Sequence, residues 1–142
     1  MQVYEGNEKY IFISYAHKDS AVVLPIVEEL LRRGYRIWLD TGLEAGAEYI
    51  FQLEKRLEGA HCVLAFNSER LLASRVCANE IAVAYANNTP VVLAHLEPVY
   101  LPHEISYPAC VQLLPYRPYE SAEAFADALA ELPVIQECKD NG

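Results

Sequence analysis

The chain has 142 residues, 53% of them hydrophobic and 22% charged, which is the length and composition of one globular domain with its own core. With 20 acidic and 11 basic residues its formal net charge is −9, so a nucleic-acid backbone would be repelled and no nucleic-acid partner is expected. The sequence shows neither a signal-peptide pattern nor a run of about 18 apolar residues, so we expect a cytoplasmic protein without a membrane partner.

The first part of the chain alternates apolar runs with segments of helical periodicity. The run “YIFISY” is rich in branched and aromatic residues, which is typical of a buried strand. Asp19 or Ser20 can cap the helix that follows, and Gly34 can end it. In chain order, the predicted elements are a strand at 10–15, a helix from Ser20 to Gly34, a strand at 35–40, a glycine-containing loop at 41–47 and a helix at 49–59.

The same alternation continues along the rest of the chain. The predicted elements are a strand at 61–66, a loop with room for one helical turn over “NSERLLASR”, a helix at 75–88, a strand at 90–96, an irregular segment at 97–108, a strand within 109–116 and a helix at 120–132. Residues 133–142 show no such pattern and are predicted to be a tail or the start of a linker. We therefore place one domain at 1–135 and a tail or linker start at 136–142.

Strands that alternate with helices predict an α/β domain with a largely parallel sheet and helices on both faces. Because both faces of such a sheet are covered, its strands are apolar throughout rather than alternating. Ligands of these sheets bind outside the carboxyl ends of the strands. This rule, together with the start of helix 75–88, predicts a crevice that collects Ser14, Tyr15, Trp38, Asp40, Ser74, Cys77 and Glu80, with the loop of Gly42 and Gly46 beside them.

Glu80 is the least expected residue of that crevice. On a helix its neighbours at three and four residues' distance are Val76, Cys77, Val83 and Ala84, and none of them can form an ion pair with it. Burying an unpaired carboxylate costs several kcal/mol or raises its pKa, so this face should open on water, a partner or a ligand cation. The alternative is a solvated glutamate paired with a distant cation.

Tyr15 and Trp38 also allow two interpretations. They are either ordinary core aromatics or, at the ends of their strands, platforms for a planar ring, and a cationic ring would gain from their π faces. The glycines of the loop at 41–47 either belong to a long connection or allow it to close over a ligand or dock on a neighbour.

Several common kinds of site are not indicated. The cysteines (Cys62, Cys77, Cys110 and Cys138) and the histidines lack metal-ligand spacing, so we predict reduced core cysteines and no metal site. No G-x-G-x-x-G or P-loop is present, which argues against the usual dehydrogenase and NTPase sites. A Ser/His/Asp triad stays open, although there is no G-x-S-x-G elbow. A phosphorylated receiver domain would need an Asp where the third strand ends in Phe66 and Asn67.

Three blocks and a loop together resemble a known family. “YIFISYAHKDS”, “LLRRGYRIWLD”, the glycine loop and “SRVCANEI”, in this order, resemble a TIR (Toll/interleukin-1 receptor) domain of the bacterial kind. The resemblance covers about residues 8–132. It implies a flavodoxin-like, three-layer fold with a five-stranded parallel sheet.

The resemblance also implies an activity. Many TIR domains cleave NAD+ between nicotinamide and ribose with a glutamate on the third helix, and Glu80 matches that position. Many members have a Trp or Cys three residues before it, and Cys77 holds that place, with Ser74 completing S-x-x-C-x-x-E. The products would be nicotinamide and ADP-ribose or a cyclic isomer. NAD+ would be the substrate, and no cofactor is implied.

Further implications concern the pocket and the partners. Ser14, Tyr15 and Trp38 would line the nucleotide pocket, and the segment 40–47, with Gly42, Leu43 and Gly46, would be the BB loop used for homotypic TIR–TIR assembly and site closure. A role in antiphage defence or signalling is also implied. Two alternatives stay open, namely a non-enzymatic module that acts through TIR–TIR contacts alone, and transfer of the nucleotide to another acceptor.

Overall fold

The computed structural model describes residues 4–39, 47–97, 111–115 and 121–140, with the backbone alone described for 47–50 and 111–115. A single 3-10 turn at His17–Asp19 follows the first strand. The elements of the described residues are, in chain order, β1 (Ile11–Ser14), α1 (Ser20–Arg32), β2 (Ile37–Leu39), α2 (Ala47–Gly59), β3 (Cys62–Asn67), α3 (Glu69–Ala73), α4 (Arg75–Ala86), β4 (Val91–His95), β5 (Val111–Pro115), α5 (Ala122–Ala130) and α6 (Pro133–Gln136).

The described strands form one parallel sheet in the order β2-β1-β3-β4-β5. Phe12 of β1 lies in register with Trp38 of β2 on one side and with Val63 of β3 on the other. The chain therefore moves outward in one direction from β1 to β2 and in the other from β3 to β5. Such a reversal of direction opens a crevice at the carboxyl ends of the two central strands, and Ser14 ends β1 at that point.

The core lies on both faces of this sheet, as the prediction of a parallel α/β domain flanked by helices requires. Every described residue of β1, β2 and β3 is buried, which explains their continuous apolar sequence. One core layer joins the sheet to α1, α5 and α6 and includes Val27, Leu30, Phe125, Leu129 and Ile135. The other joins it to α2, α3 and α4 and includes Phe12, Leu57, Leu71, Cys77 and Ile81.

The predicted tail at 133–142 is wrong for the residues that the structure describes. Ile135 and Cys138 are fully buried, and Lys139 forms an antiparallel bridge with Tyr35. The backbone N–H of Arg36 also donates to the carbonyl of Cys138 at 2.8 Å. The segment was missed because a single helical turn is too short to display an amphipathic period, although its apolar residues pack against the core.

The predictions for the end of α1 and for the described cysteines agree with the structure. Gly34 follows α1 with a φ of 95°, a conformation that glycine adopts without strain and that suits the end of a helix. Cys62, Cys77 and Cys138 are buried thiols, as predicted for reduced core cysteines, and Cys110 lies outside the described residues. Within the described part of the chain, none of the helices combines the length and apolar character needed to cross a membrane.

Candidate functional site

Helix α4 carries Glu80 on the side that packs against the sheet. Ser74 is its N-cap, and the Ser74 hydroxyl accepts a hydrogen bond from the backbone N–H of Cys77 at 3.2 Å. Cys77, Ile81 and Ala84 are buried on the side of α4 that packs against the sheet. Glu80 shares that side of the helix and is only 5% exposed. Glu80 therefore lies on the apolar side of its helix, as the sequence indicated, and this side is buried.

The hydroxyl of Ser14 fixes the Glu80 side chain. Ser14 Oγ donates to Glu80 Oε1 at 2.8 Å, and the serine itself is 1% exposed. A hydrogen bond from a hydroxyl to a carboxylate is stronger than one between neutral groups, and burial strengthens it further. Because Ser14 is the last residue of β1, this bond ties α4 to the carboxyl end of that strand.

Two pockets meet at Glu80, each with a volume of about 440 Å³. The loop pocket follows the end of β1 and is lined by Ile13, Tyr15, Ala16, His17, Lys18, Arg70, Ala73, Ser74, Val76, Cys77 and Glu80. The helix pocket lies between α2 and α4 and is lined by Leu53, Glu54, Leu57, Glu58, Arg75, Val76, Asn79, Glu80 and Val83. Both volumes fall in the range of small-molecule sites, from about 300 to 1,000 Å³.

Arg70, one of the cations of the loop pocket, is held in place by two carboxylates. Its guanidinium contacts Asp19 through Nε, and its NH2 nitrogen lies 3.0 Å from Glu97 Oε2. Asp19 is buried and also accepts a hydrogen bond from Ser68 Oγ at 2.5 Å. These contacts raise the pKa of Arg70, with the hydrogen bond to Asp19 the main cause. Asp19 and Glu97 therefore hold the Arg70 guanidinium in place at the carboxyl edge of the sheet.

Glu97 is stabilised as a carboxylate by the same group of residues. The backbone N–H of Glu69 donates to Glu97 Oε1 at 2.8 Å. That bond and the Arg70 side chain, in this order of importance, lower the pKa of Glu97. Glu69 and Arg70 begin α3 and Glu97 follows β4, so this contact joins two neighbouring parts of the carboxyl edge.

Three of the predicted binding residues line the loop pocket together with Glu80. Tyr15, Ser74 and Cys77 all contribute to its wall. The thiol of Cys77 donates to the carbonyl of Tyr15 at 3.5 Å, which connects α4 to the end of β1. The structure thus brings these side chains to one place, while their contact with a substrate stays a prediction.

Trp38 does not line the pockets that Glu80 borders, and the loop after it lies outside the described residues. The Trp38 ring is 5% exposed and stacks on Phe12, with the ring centroids 5.2 Å apart and an interplanar angle of 25°. It lines neither the loop pocket nor the helix pocket. The other predicted site residues of this region lie outside the described residues, and they are Asp40, Gly42, Leu43 and Gly46.

Sequence reasoning missed the helix pocket and, among the polar side chains that line the loop pocket, His17, Lys18 and Arg70. His17 and Lys18 follow directly after the predicted strand 10–15, so the strand-end rule could have found them. Arg70 lies on α3, the helical turn predicted within “NSERLLASR”, and its contacts with Asp19 and Glu97 are ones that no sequence pattern specifies. Among the described residues, no group of three or more His, Cys, Asp or Glu is placed to hold a metal ion.

The fold and this crevice define a parallel α/β protein with a buried carboxylate at the reversal of its strand order. The model of the TIR domain family matches residues 11–132, so the chain belongs to the TIR domain family. Comparison with curated proteins gives no significant match.

Solved structures share the fold at low sequence identity. The TIR domain of the Toll-related receptor TRR-2 from Hydra magnipapillata superposes with a TM-score of 0.69 at 15% identity, covering 85% of this chain and 94% of that one. The CMP N-glycosidase BcmB from Clostridium botulinum gives 0.64 at 16% identity, with 87% and 100% covered. A 2-deoxyribosyltransferase from Bacillus psychrosaccharolyticus gives 0.62 at 12% identity, with 83% and 90% covered.

Proposed function

We propose that this TIR domain cleaves the bond between nicotinamide and ribose in NAD+, with Glu80 as the catalytic residue. The observation that carries the proposal is the position of the Glu80 carboxylate. It is 5% exposed, bonded to the Ser14 hydroxyl at 2.8 Å, and part of the wall of two pockets large enough for a nucleotide's parts. A carboxylate kept in such a place is suited to a substrate on which positive charge develops.

The chemistry explains why one carboxylate is enough. The bond between ribose C1′ and the pyridinium nitrogen breaks, and its electron pair goes to the nitrogen, so nicotinamide leaves as a neutral ring. No general acid is needed, in contrast to the two-carboxylate sites of ordinary glycoside hydrolysis. The ribose becomes oxocarbenium-like, and the ionised Glu80 stabilises this charge and accepts hydrogen bonds from the ribose hydroxyls.

Water completes the reaction. Its oxygen adds to C1′ and its proton passes to the solvent, which gives ADP-ribose. If an adenine nitrogen of the same molecule reaches C1′ instead, the product is a cyclic isomer, and the choice depends on placing the attacking atom to within about an ångström. Loss of cellular NAD+ or release of such a product would account for the defence or signalling role that the family resemblance implies.

The structural relatives lend support from outside the TIR family. One is named as a CMP N-glycosidase and another as a 2-deoxyribosyltransferase, so both names refer to chemistry at the bond between a sugar and a base. At 16% and 12% identity they share the fold, and the residues that carry the proposal are those of this chain. Transfer of the ribosyl group to an acceptor other than water differs only in the nucleophile.

A non-enzymatic assembly module is the second candidate, and exposed apolar side chains favour it. Phe51 of α2 and Val76 and Tyr85 of α4 are 59%, 55% and 52% exposed. TIR domains commonly self-associate, and apolar residues of this kind suit such contacts. Self-association and catalysis are compatible, so the presence or absence of turnover separates the two candidates.

Product analysis tests the proposal. Concentrated wild type, Glu80→Gln and the exposed control Glu123→Gln are each incubated with NAD+, and nicotinamide and adenine-containing products are separated by chromatography. We expect wild type and control to release nicotinamide at the same rate and Glu80→Gln to be slower by roughly 100-fold or more. Equal release by Glu80→Gln would contradict the role of Glu80. No release from crowded wild type would favour the assembly module.

A further inference from the structure

Glu80 belongs to a ridge rather than to the floor of one pocket. Val76 and Glu80 lie one helical turn apart on α4, and both of them line the loop pocket and the helix pocket. Val76 is 55% exposed, so it forms the outer part of the ridge, and the buried Glu80 forms its inner part. A molecule whose reacting bond lies at Glu80 therefore has room for one portion on each side.

The two sides of the ridge differ in charge. The loop pocket has two cations in its wall, Lys18 and Arg70. Asp19 and Glu97 bind Arg70, but neither of these carboxylates is among the residues that line the pocket. Of the charged side chains that line the loop pocket in the described part of the chain, two are therefore cations and one is the carboxylate of Glu80 on the ridge.

The helix pocket has the opposite character. Leu53, Leu57 and Val83 give it an apolar wall between α2 and α4. Glu54 and Glu58 of α2 add two negative charges, and Arg75 adds one positive charge. With Glu80 at its inner end, its described lining therefore has an excess of negative charge, which suits a flat, apolar ring that bears a positive charge.

NAD+ has the same separation of charge along its length, with a pyridinium ring at one end and a diphosphate toward the other. We propose that a dinucleotide binds across the Val76–Glu80 ridge, with its pyridinium base in the helix pocket and its ribosyl diphosphate in the loop pocket. The opposite orientation would place the diphosphate beside Glu54 and Glu58 and the pyridinium beside Lys18, where like charges repel. This inference rests on the proposed function.

Direct binding of two fragments tests the orientation without any turnover. Wild-type protein with labelled amides and methyl groups is titrated with 1-methylnicotinamide and, separately, with ADP-ribose, and the NMR shifts are mapped. We expect 1-methylnicotinamide to shift the methyl signals of Leu53, Leu57 and Val83, and ADP-ribose to shift the amides of Lys18 and Arg70. Exchanged positions, or shifts at neither pocket, would overturn the inference.

A charge reversal adds a kinetic test with a matched control. Lys18→Glu is compared with Lys9→Glu, which reverses an exposed lysine that lines neither pocket. We expect Lys18→Glu to raise the KM for NAD+ roughly tenfold and to leave the KM for nicotinamide riboside, which has no phosphate, unchanged. Equal effects on the two substrates would overturn the placement of the diphosphate. If wild type cleaves NAD+ but the two fragments do not bind in the expected pockets, only this inference is contradicted. If wild type fails to cleave NAD+, the proposed function is contradicted.

Discussion

Two buried glutamates on different helices show how differently this fold treats a carboxylate. Glu29 on α1 is 8% exposed and Glu80 on α4 is 5% exposed, so water reaches the two residues to a similar extent. Glu29 is surrounded by guanidinium groups. Glu80 accepts a hydrogen bond from a hydroxyl and borders two pockets. Burial alone therefore does not distinguish a structural carboxylate from one suited to chemistry, whereas its surroundings do.

The surroundings of Glu29 are those of a structural ion pair. Arg32 Nε and Arg33 Nε each donate to its carboxylate at 3.0 Å. The hydrogen bonds from Arg32 and then Arg33 lower the pKa of Glu29. Arg33 also lies 2.8 Å from Asp127 of α5, so this group of charges connects two helices on the same side of the sheet. Nothing in this arrangement requires a ligand.

Weakening the Ser14–Glu80 bond should have the largest effect on activity among the neighbours of Glu80. Ser14→Ala removes a donor that holds a buried carboxylate, and such bonds to charged groups contribute about 1.5–3 kcal/mol. We expect kcat/KM for NAD+ to fall by roughly 10- to 100-fold. Steady-state assays of Ser14→Ala beside Ser121→Ala provide the check, because Ser121 caps α5 and lines neither pocket. A loss in Ser14→Ala no larger than that in Ser121→Ala would count against the positioning role.

The corresponding change at Glu29 should affect the fold and leave the activity. Glu29→Gln removes the negative charge between Arg32 and Arg33, so the two guanidinium groups repel each other without compensation. We expect the unfolding temperature to fall by several degrees while NAD+ cleavage per folded molecule is unchanged. Thermal unfolding followed by circular dichroism, with activity measured on the same samples, tests this. A loss of turnover in the folded variant would break the contrast between the two glutamates.

The smallest expected effect is on the stability of the fold at acidic pH, through Glu97. Contacts to Glu69 and Arg70 lower the pKa of Glu97 from its ordinary value of 4.5, so Glu97 stabilises the fold fully above that value and loses this contribution as the pH falls through the lowered pKa. Glu97→Gln should therefore show a shallower loss of stability below about pH 4.5 than the wild type. Urea unfolding at a series of pH values measures this slope. Identical slopes would show that Glu97 is not held in this way.

Much of this architecture follows from the sequence because its strands are short apolar runs separated by helical periods. The position of Glu80 on an apolar helix face could also be predicted from the sequence, because residues three and four apart on a helix share a face whatever the rest of the fold. Ser14 and Glu80 were predicted to share a crevice because parallel strands end on one edge. These predictions rest on local pattern and one topological rule.

The remaining features depend on contacts between distant segments. Arg70 enters the loop pocket because Asp19 and Glu97, far away in the chain, hold its guanidinium. The division of the site by Val76 depends on the spacing between α2 and α4, which no sequence period specifies. The docking of Cys138 was missed for the same reason, because one short turn gains its stability from the surface it covers.

The most direct test of the central claim is to measure turnover and unfolding temperature together for Glu80→Gln and Glu29→Gln. The amide that Glu80→Gln introduces retains an oxygen that can accept the Ser14 hydrogen bond, and it avoids the burial of a charge, so this variant should unfold at or above the wild-type temperature. Its NAD+ cleavage should fall by roughly 100-fold or more, while Glu29→Gln loses stability and keeps turnover. If Glu80→Gln retains wild-type cleavage, or if its lost activity is matched by a lost fold, Glu80 is not held in this position for catalysis.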